Sequence, residues 1–161
     1  MILRCTKKLL DVILPGQVVT QEPEDEDWYA NLLVLDRRKC LLLTHAGTMF
    51  TIFEPSVRAS DLRATKNLVS ELIERELLAE GLPANTFGDL WTDELLMAKT
   101  ADRSVLGCMN DMAFLCDVAV ADAGGLARVG VRSLNHRLHR NINSARGYER
   151  PIDLVMGLTG R

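Results

Sequence analysis

Between Trp28 and Phe53 the apolar residues fall in short runs, 28–35, 40–46 and 49–53, separated by turn-like residues. After Ser60 the spacing becomes helical. Leu62, Val69, Leu72, Ile73 and Leu77 mark one face, and Val105, Met109, Met112, Cys116, Ala119 and Ala123 a second. Val131, Leu134, Leu138 and Ile142 mark a third. Short apolar runs bounded by turns predict strands, whereas apolar positions three or four apart predict amphipathic helices.

The boundaries carry their own signals. Ile2 to Cys5 reads as a short strand, with Thr6 as the cap of one or two helical turns that end at Pro15-Gly16. Asp36-Arg37-Arg38-Lys39 reads as one hairpin connection and Ala46-Gly47-Thr48 as another. Ser60 is placed to cap a helix beginning at Asp61 and ending at Gly81. A shorter helical piece is expected over 92–99. Asp102 caps a long helix closed by Gly124-Gly125, and a last helix covers 131–143.

Leu32 to Leu35 and Leu41 to Leu43 are apolar without alternation, so both faces of the strands are expected to be covered. The reading is an α+β fold. A small antiparallel meander of three to four strands packs with four to five mostly C-terminal helices, in one domain spanning 1–161. One core is expected, with the arginines and histidines outside it.

Composition narrows the class. With 161 residues, 47% of them hydrophobic and 25% charged, the chain suits a globular protein. It shows neither a run of about 20 apolar residues nor a secretory leader, so a cytoplasmic location without membrane contact is expected. Cys5, Cys40, Cys108 and Cys116 form no C-x-x-C pair and read as buried hydrophobes; neither a metal nor a cofactor is implied.

The net charge of −3 points to no partner, but its distribution is uneven. Glu22, Glu24, Asp25, Glu26 and Asp27 crowd one loop. Six arginines between Arg128 and Arg150 face a single acid, Glu149.

That arginine-rich helix is the first candidate for chemistry. Arg132, His136, His139, Arg140 and Asn143 share the side opposite Leu134 and Leu138, a pattern that suits phosphate contacts and equally a solvated face. His136 and His139, three apart, are candidate general acid and base for phosphodiester chemistry. His45, among leucines, reads as a structural histidine. Gly107, Asn110, Asp111 and Asp117 form a polar patch on the long helix, with Asp111 a candidate catalytic carboxylate. Trp28, Tyr29 and Asn31 are placed to stack on and hydrogen-bond a base. No P-loop, dinucleotide fingerprint, nucleophile elbow or H-E-x-x-H motif is present.

The segments Arg4-Cys5-Thr6-Lys7-Lys8-Leu9-Leu10, Asp27-Trp28-Tyr29-Ala30-Asn31-Leu32 and Arg37-Arg38-Lys39, with the later Arg103-Ser104-Val105-Leu106-Gly107-Cys108-Met109-Asn110-Asp111, resemble the blocks of a bacterial domain family of unknown function. The resemblance covers most of the chain. It implies no defined activity, and suggests a role in mobile elements or host conflict, including toxin–antitoxin pairs. It singles out Arg4, Thr6, Lys7, Trp28, Asn31, Arg37, Arg38, Asn110 and Asp111 as a candidate constellation for a phosphate-bearing ligand.

Two functional expectations follow. The first is a non-catalytic binding module for a protein partner or nucleic acid, with Arg4, Lys7, Trp28, Asn31, Arg37, Arg38, Asn110, Arg132 and Arg140 as its contact residues. The second is a small toxin-like enzyme acting on RNA or a nucleotide through His136 and His139.

Overall fold

The computed structural model describes residues 1–160. Its centre is a five-stranded mixed sheet in the order β4-β3-β2-β1-β5. The strands are β1 (Ile2–Cys5), β2 (Trp28–Leu35), β3 (Arg38–His45), β4 (Thr51–Glu54) and β5 (Leu96–Lys99). β2, β3 and β4 form the antiparallel meander, while β1 runs parallel to both β2 and β5. Six α-helices complete the fold: α1 (Lys7–Ile13), α2 (Ala59–Arg63), α3 (Thr65–Ala79), α4 (Arg103–Ala123), α5 (Val131–Leu138) and α6 (Pro151–Thr159). The α+β class holds, with one strand more than expected and a sheet that is mixed.

Successive strand residues point to opposite faces, and here both faces are apolar. Leu3, Trp28, Ala30, Leu32, Leu41, Leu43 and Ile52 join a cluster with residues of α1, α2, α3 and α6. Tyr29, Cys40, Leu42 and Phe53 join a second cluster with α4 and α5. The leucine runs at 32–35 and 41–43 therefore alternate after all, each side meeting its own helical layer. The expected single core is two, back to back across one sheet.

Three elements depart from the sequence reading. The piece over 92–99 is not helical: Leu96 to Lys99 form the edge strand β5, in register with Ile2 to Cys5. Leu, Met, Ala and Lys are good helix formers, but pairing with β1 overrides a propensity worth only tenths of a kcal/mol per residue. The helix expected from Asp61 is broken at Ala64 into α2 and α3. Asp61 accepts from the Arg58 amide at 3.1 Å, so Arg58, not Ser60, is the cap position. The last helix stops at Leu138, leaving Ile142 exposed rather than in the core.

The β2–β3 hairpin is tighter than expected. Only Asp36 and Arg37 form its turn, both at positive φ, and Leu35 pairs with Arg38. This is the two-residue connection whose twist matches the flanking strands. Asp36 also accepts from the Leu126 amide at 2.5 Å, which anchors the turn to the chain leaving α4.

Candidate functional site

The helix that carries the candidate acid and base does not present them together. His139, the C-cap of α5, keeps its helical bond to the Asn135 carbonyl, so it lies on the same side as buried Asn135 and is itself fully buried. Its ring stacks on Phe50, with centroids 3.9 Å apart and planes 14° from parallel. Its Nδ1 lies 2.7 Å from Oε1 of Glu80, the residue that closes α3. Arg140 grips both oxygens of the same carboxylate, at 2.9 and 2.8 Å, and His136 Nδ1 lies 3.2 Å from it.

Electrostatics follow from this packing. Burial lowers His139 to about 4, against the opposing pull of Glu80. Burial raises Glu80, but hydrogen bonds from Arg140 and His139 outweigh it and hold the carboxyl at about 2. At neutral pH the centre is thus a carboxylate bound by Arg140 beside a neutral imidazole. His139 Nε2 is buried without a partner, and only His136 of the two rings reaches solvent. The cluster joins α3 to α5. The expectation that both histidines share an exposed face is corrected: the buried face of α5 is wider than the Leu134–Leu138 stripe, because the polar residues Asn135 and His139, four apart, are buried as well.

Asp111 lies elsewhere. With Arg103, Ser104 and Gly107 of α4 it lines a groove of about 630 Å³ whose other wall holds Asn141, Asn143 and Tyr148. Asn110 is exposed on the same helix outside that lining. Neither His136 nor His139 borders the groove.

A second cavity, of about 640 Å³, opens where β2 begins and β3 ends. Trp28, His45 and Thr48 line its buried part, with Phe87 and the α6 residues Leu154 and Leu158 alongside; Asp25, Glu26 and Asp93 are its exposed residues. The Trp28, His45 and Phe87 rings contact one another pairwise, with centroids 5.2, 5.1 and 4.5 Å apart. Burial, reinforced by Arg146, lowers His45 to about 3, so its ring is neutral. Thr48 Oγ1 accepts from the Phe50 amide and lies 3.0 Å from His45 Nδ1.

The acidic loop and the basic segment meet here. Arg146 donates to the Gly47 carbonyl at 2.9 Å and the Ala46 carbonyl at 2.5 Å, and sits 3.4 Å from Asp25. Arg140 is bound to Glu80 and Arg150 to Asp153. Arg128, Arg132 and Arg137 are exposed.

Residues 2–154 match the family described as Domain of unknown function (DUF6933). The chain belongs to this family. No curated protein and no solved structure matches it. In this DUF6933 member, residues 4–10 and 27–32 meet through the β1–β2 pairing, while Arg37, Arg38, Asn110 and Asp111 lie apart from them. Arg4 is buried against Asp27 and also donates to the carbonyls of Gln21 and Glu22. Thr6 donates to Asn31 at 3.0 Å, which ties the start of α1 to β2. Lys7 is exposed and pairs with Asp11. Arg37 and Arg38 stand in solvent at the hairpin end, and Trp28 lies inside the second cavity. Arg132 borders a different groove beside Glu54 and Glu76.

The residues that organise these sites were mostly absent from the sequence reading. Glu80 had a signal, because an acid at a helix C-terminus opposes the dipole and needs a cation. Phe87 had none, being a lone aromatic in a loop; Arg146 reads only as an extension of the basic strip, with nothing local that points it at the Ala46 and Gly47 carbonyls.

Proposed function

We propose that the protein is a non-catalytic interaction module whose contact surface is the outer face of α4, and that the partner is a second copy of the chain. The observation that carries this reading is Phe114, 67% exposed on the side of α4 opposite its buried stripe of Val105, Met109, Met112, Cys116 and Val120. At about 100° per residue, Gly107, Val118 and Ala121 fall on the same outer side. Phe114 and Val118, 67% and 39% exposed and one turn apart, form a small apolar patch in solvent, which marks a contact surface more often than an isolated exposed residue does.

One complementary charge pair supports the choice of a second copy. A two-fold axis across α4 that sets Arg103 against Asp122 of the second copy also sets Gly107 against Val118 and Asp111 beside Phe114. Gly107 has open space around it, with no neighbour that its missing side chain accommodates, and a glycine there lets another helix approach closely. Asp111, Asp117 and Asp122 flank the patch and disfavour an anionic membrane in its place. Nucleic acid is the weaker partner, because half of the arginine cluster is engaged with Glu80, Asp25 and Asp153. An interaction module also suits the host-conflict setting that the family resemblance suggests.

Sedimentation velocity over a range of micromolar concentrations tests the reading. Wild type is expected to dimerise, Phe114→Glu to be monomeric, and Arg103→Glu or Asp122→Arg to weaken the dimer. The double variant Arg103→Glu/Asp122→Arg should restore it. A wild-type chain that stays monomeric throughout, or salt-dependent binding of RNA in place of self-association, would overturn it.

A further inference from the structure

We propose that the cavity lined by Trp28, His45 and Phe87 is a binding site for an organic cation, a protonated amine or quaternary ammonium on a small apolar body. It lies on the face of the sheet opposite α4, so it stands or falls independently of self-association.

Three features converge. The volume of about 640 Å³ falls within the range of small-molecule sites. The inner lining is aromatic and aliphatic: half-buried Phe87 offers the accessible ring, Trp28 at 1% exposure packs directly against it, and Leu154 and Leu158 supply apolar contact. The outer lining holds three carboxylates. Asp25 is shared with Arg146, whereas Glu26 and Asp93 have no cationic partner among the described residues.

Two positive charges lie nearby. Met1 borders the cavity, and its ammonium donates to the Glu94 carbonyl at 2.8 Å, leaving three carboxylates against one cation in the lining. Arg146 spends its donors on the Ala46, Gly47 and Ala145 carbonyls and does not line the cavity. His45 adds no competing charge, since burial keeps it neutral. An anionic ligand would meet Glu26 and Asp93 at the entrance, so a phosphate-bearing molecule is disfavoured at this site.

Trp28 provides the readout. The chain has two tryptophans, and the other, Trp91, is half-exposed and bonded to Glu74. In a Trp91→Phe background, fluorescence reports Trp28 alone. Choline and benzyltrimethylammonium are titrated against 3,3-dimethylbutanol, the neutral isostere of choline. At least one cation is expected to give a saturable change at a concentration about tenfold below that needed for the alcohol. Glu26→Gln/Asp93→Asn, both exposed and remote from the core, should weaken the cation several-fold, leave the alcohol unchanged, and preserve the circular dichroism spectrum and melting temperature. Phe87→Leu should weaken both. Equal affinity for cation and alcohol, unaltered cation binding in the double carboxylate variant, or no saturable change with either cation into the millimolar range would each overturn the proposal.

Discussion

Arg4 and Asp27 form a buried ion pair, Nε to Oδ2 at 2.5 Å, with side chains 2% and 3% exposed. Asp27 also accepts the Glu24 amide at 3.1 Å, and Arg4 reaches three carbonyls. The pair therefore fixes the acidic loop against β1. Removing one partner strands the other charge, so Arg4→Met should cost about 3–5 kcal/mol. Adding Asp27→Leu should recover much of that loss. Urea unfolding of the two variants checks both statements, and a single variant within about 1 kcal/mol of wild type would remove the pair's structural role.

His45 and His139 predict how stability responds to acid. Burial lowers both, to about 3 and about 4, so between those values and the ordinary range the unfolded chain binds more protons. Their contribution is complete above about pH 6.5 and is lost as pH falls toward the folded values. At pH 4 the loss should be on the order of 3 kcal/mol for each group. Glu80, held at about 2, adds a further decline below its ordinary range. Melting temperature measured from pH 7.5 to 4.5 should be flat at first and then fall. In His45→Phe/His139→Phe the fall should shift to lower pH; an unshifted curve would contradict the assignment.

Asn135, fully buried on α5, closes the free edge of the sheet. Its Oδ1 accepts the Phe53 amide at 2.8 Å and its Nδ2 donates to the Phe53 carbonyl at 3.1 Å. The side chain thus stands in for a sixth strand at one position. Asn135→Leu leaves both backbone groups buried and unpaired, with an expected cost of about 2–4 kcal/mol. It also reopens an edge that other chains can add to, so the variant should aggregate faster at equal fraction folded, as light scattering would show.

The same residue marks where the sequence stops being legible. Helix positions could be read because burial imposes a period on the apolar residues, and caps and glycines bound it, as in α3 and α4; the meander was read from short apolar runs between turn residues. β5 was not, since four residues are too few for a period and their neighbours in space are Ile2 to Cys5. The direction of individual polar side chains was also hidden. His136 and His139 read alike as polar positions, yet His139 follows buried Asn135 by one turn and packs on Phe50, whereas His136 reaches solvent. Asn135, Glu80 and Arg146 each bind groups far away in sequence, and nothing local announces such a partner. The aromatic cavity needed Phe87 brought to Trp28 by the turn after α3, a tertiary event.

Two glycines should respond to alanine with opposite signs. At Gly47 an added Cβ would lie 2.8 Å from the Asp25 carbonyl oxygen, a backbone atom held in place while Arg146 binds both Asp25 and the Gly47 carbonyl. Gly47→Ala must push the acidic loop away, at an expected cost of about 1–3 kcal/mol, with faster amide exchange over 22–27. At Gly107 nothing lies within 4 Å of the added atom, and the residue is interior to α4. Gly107→Ala should therefore stabilise the monomer by up to about 1 kcal/mol through helix propensity alone. If α4 meets a second copy there, the same substitution should weaken the dimer while raising monomer stability. Thermal unfolding at low concentration and sedimentation at high concentration separate those two effects, and a loss of monomer stability in Gly107→Ala would mean that the glycine serves the fold rather than the contact.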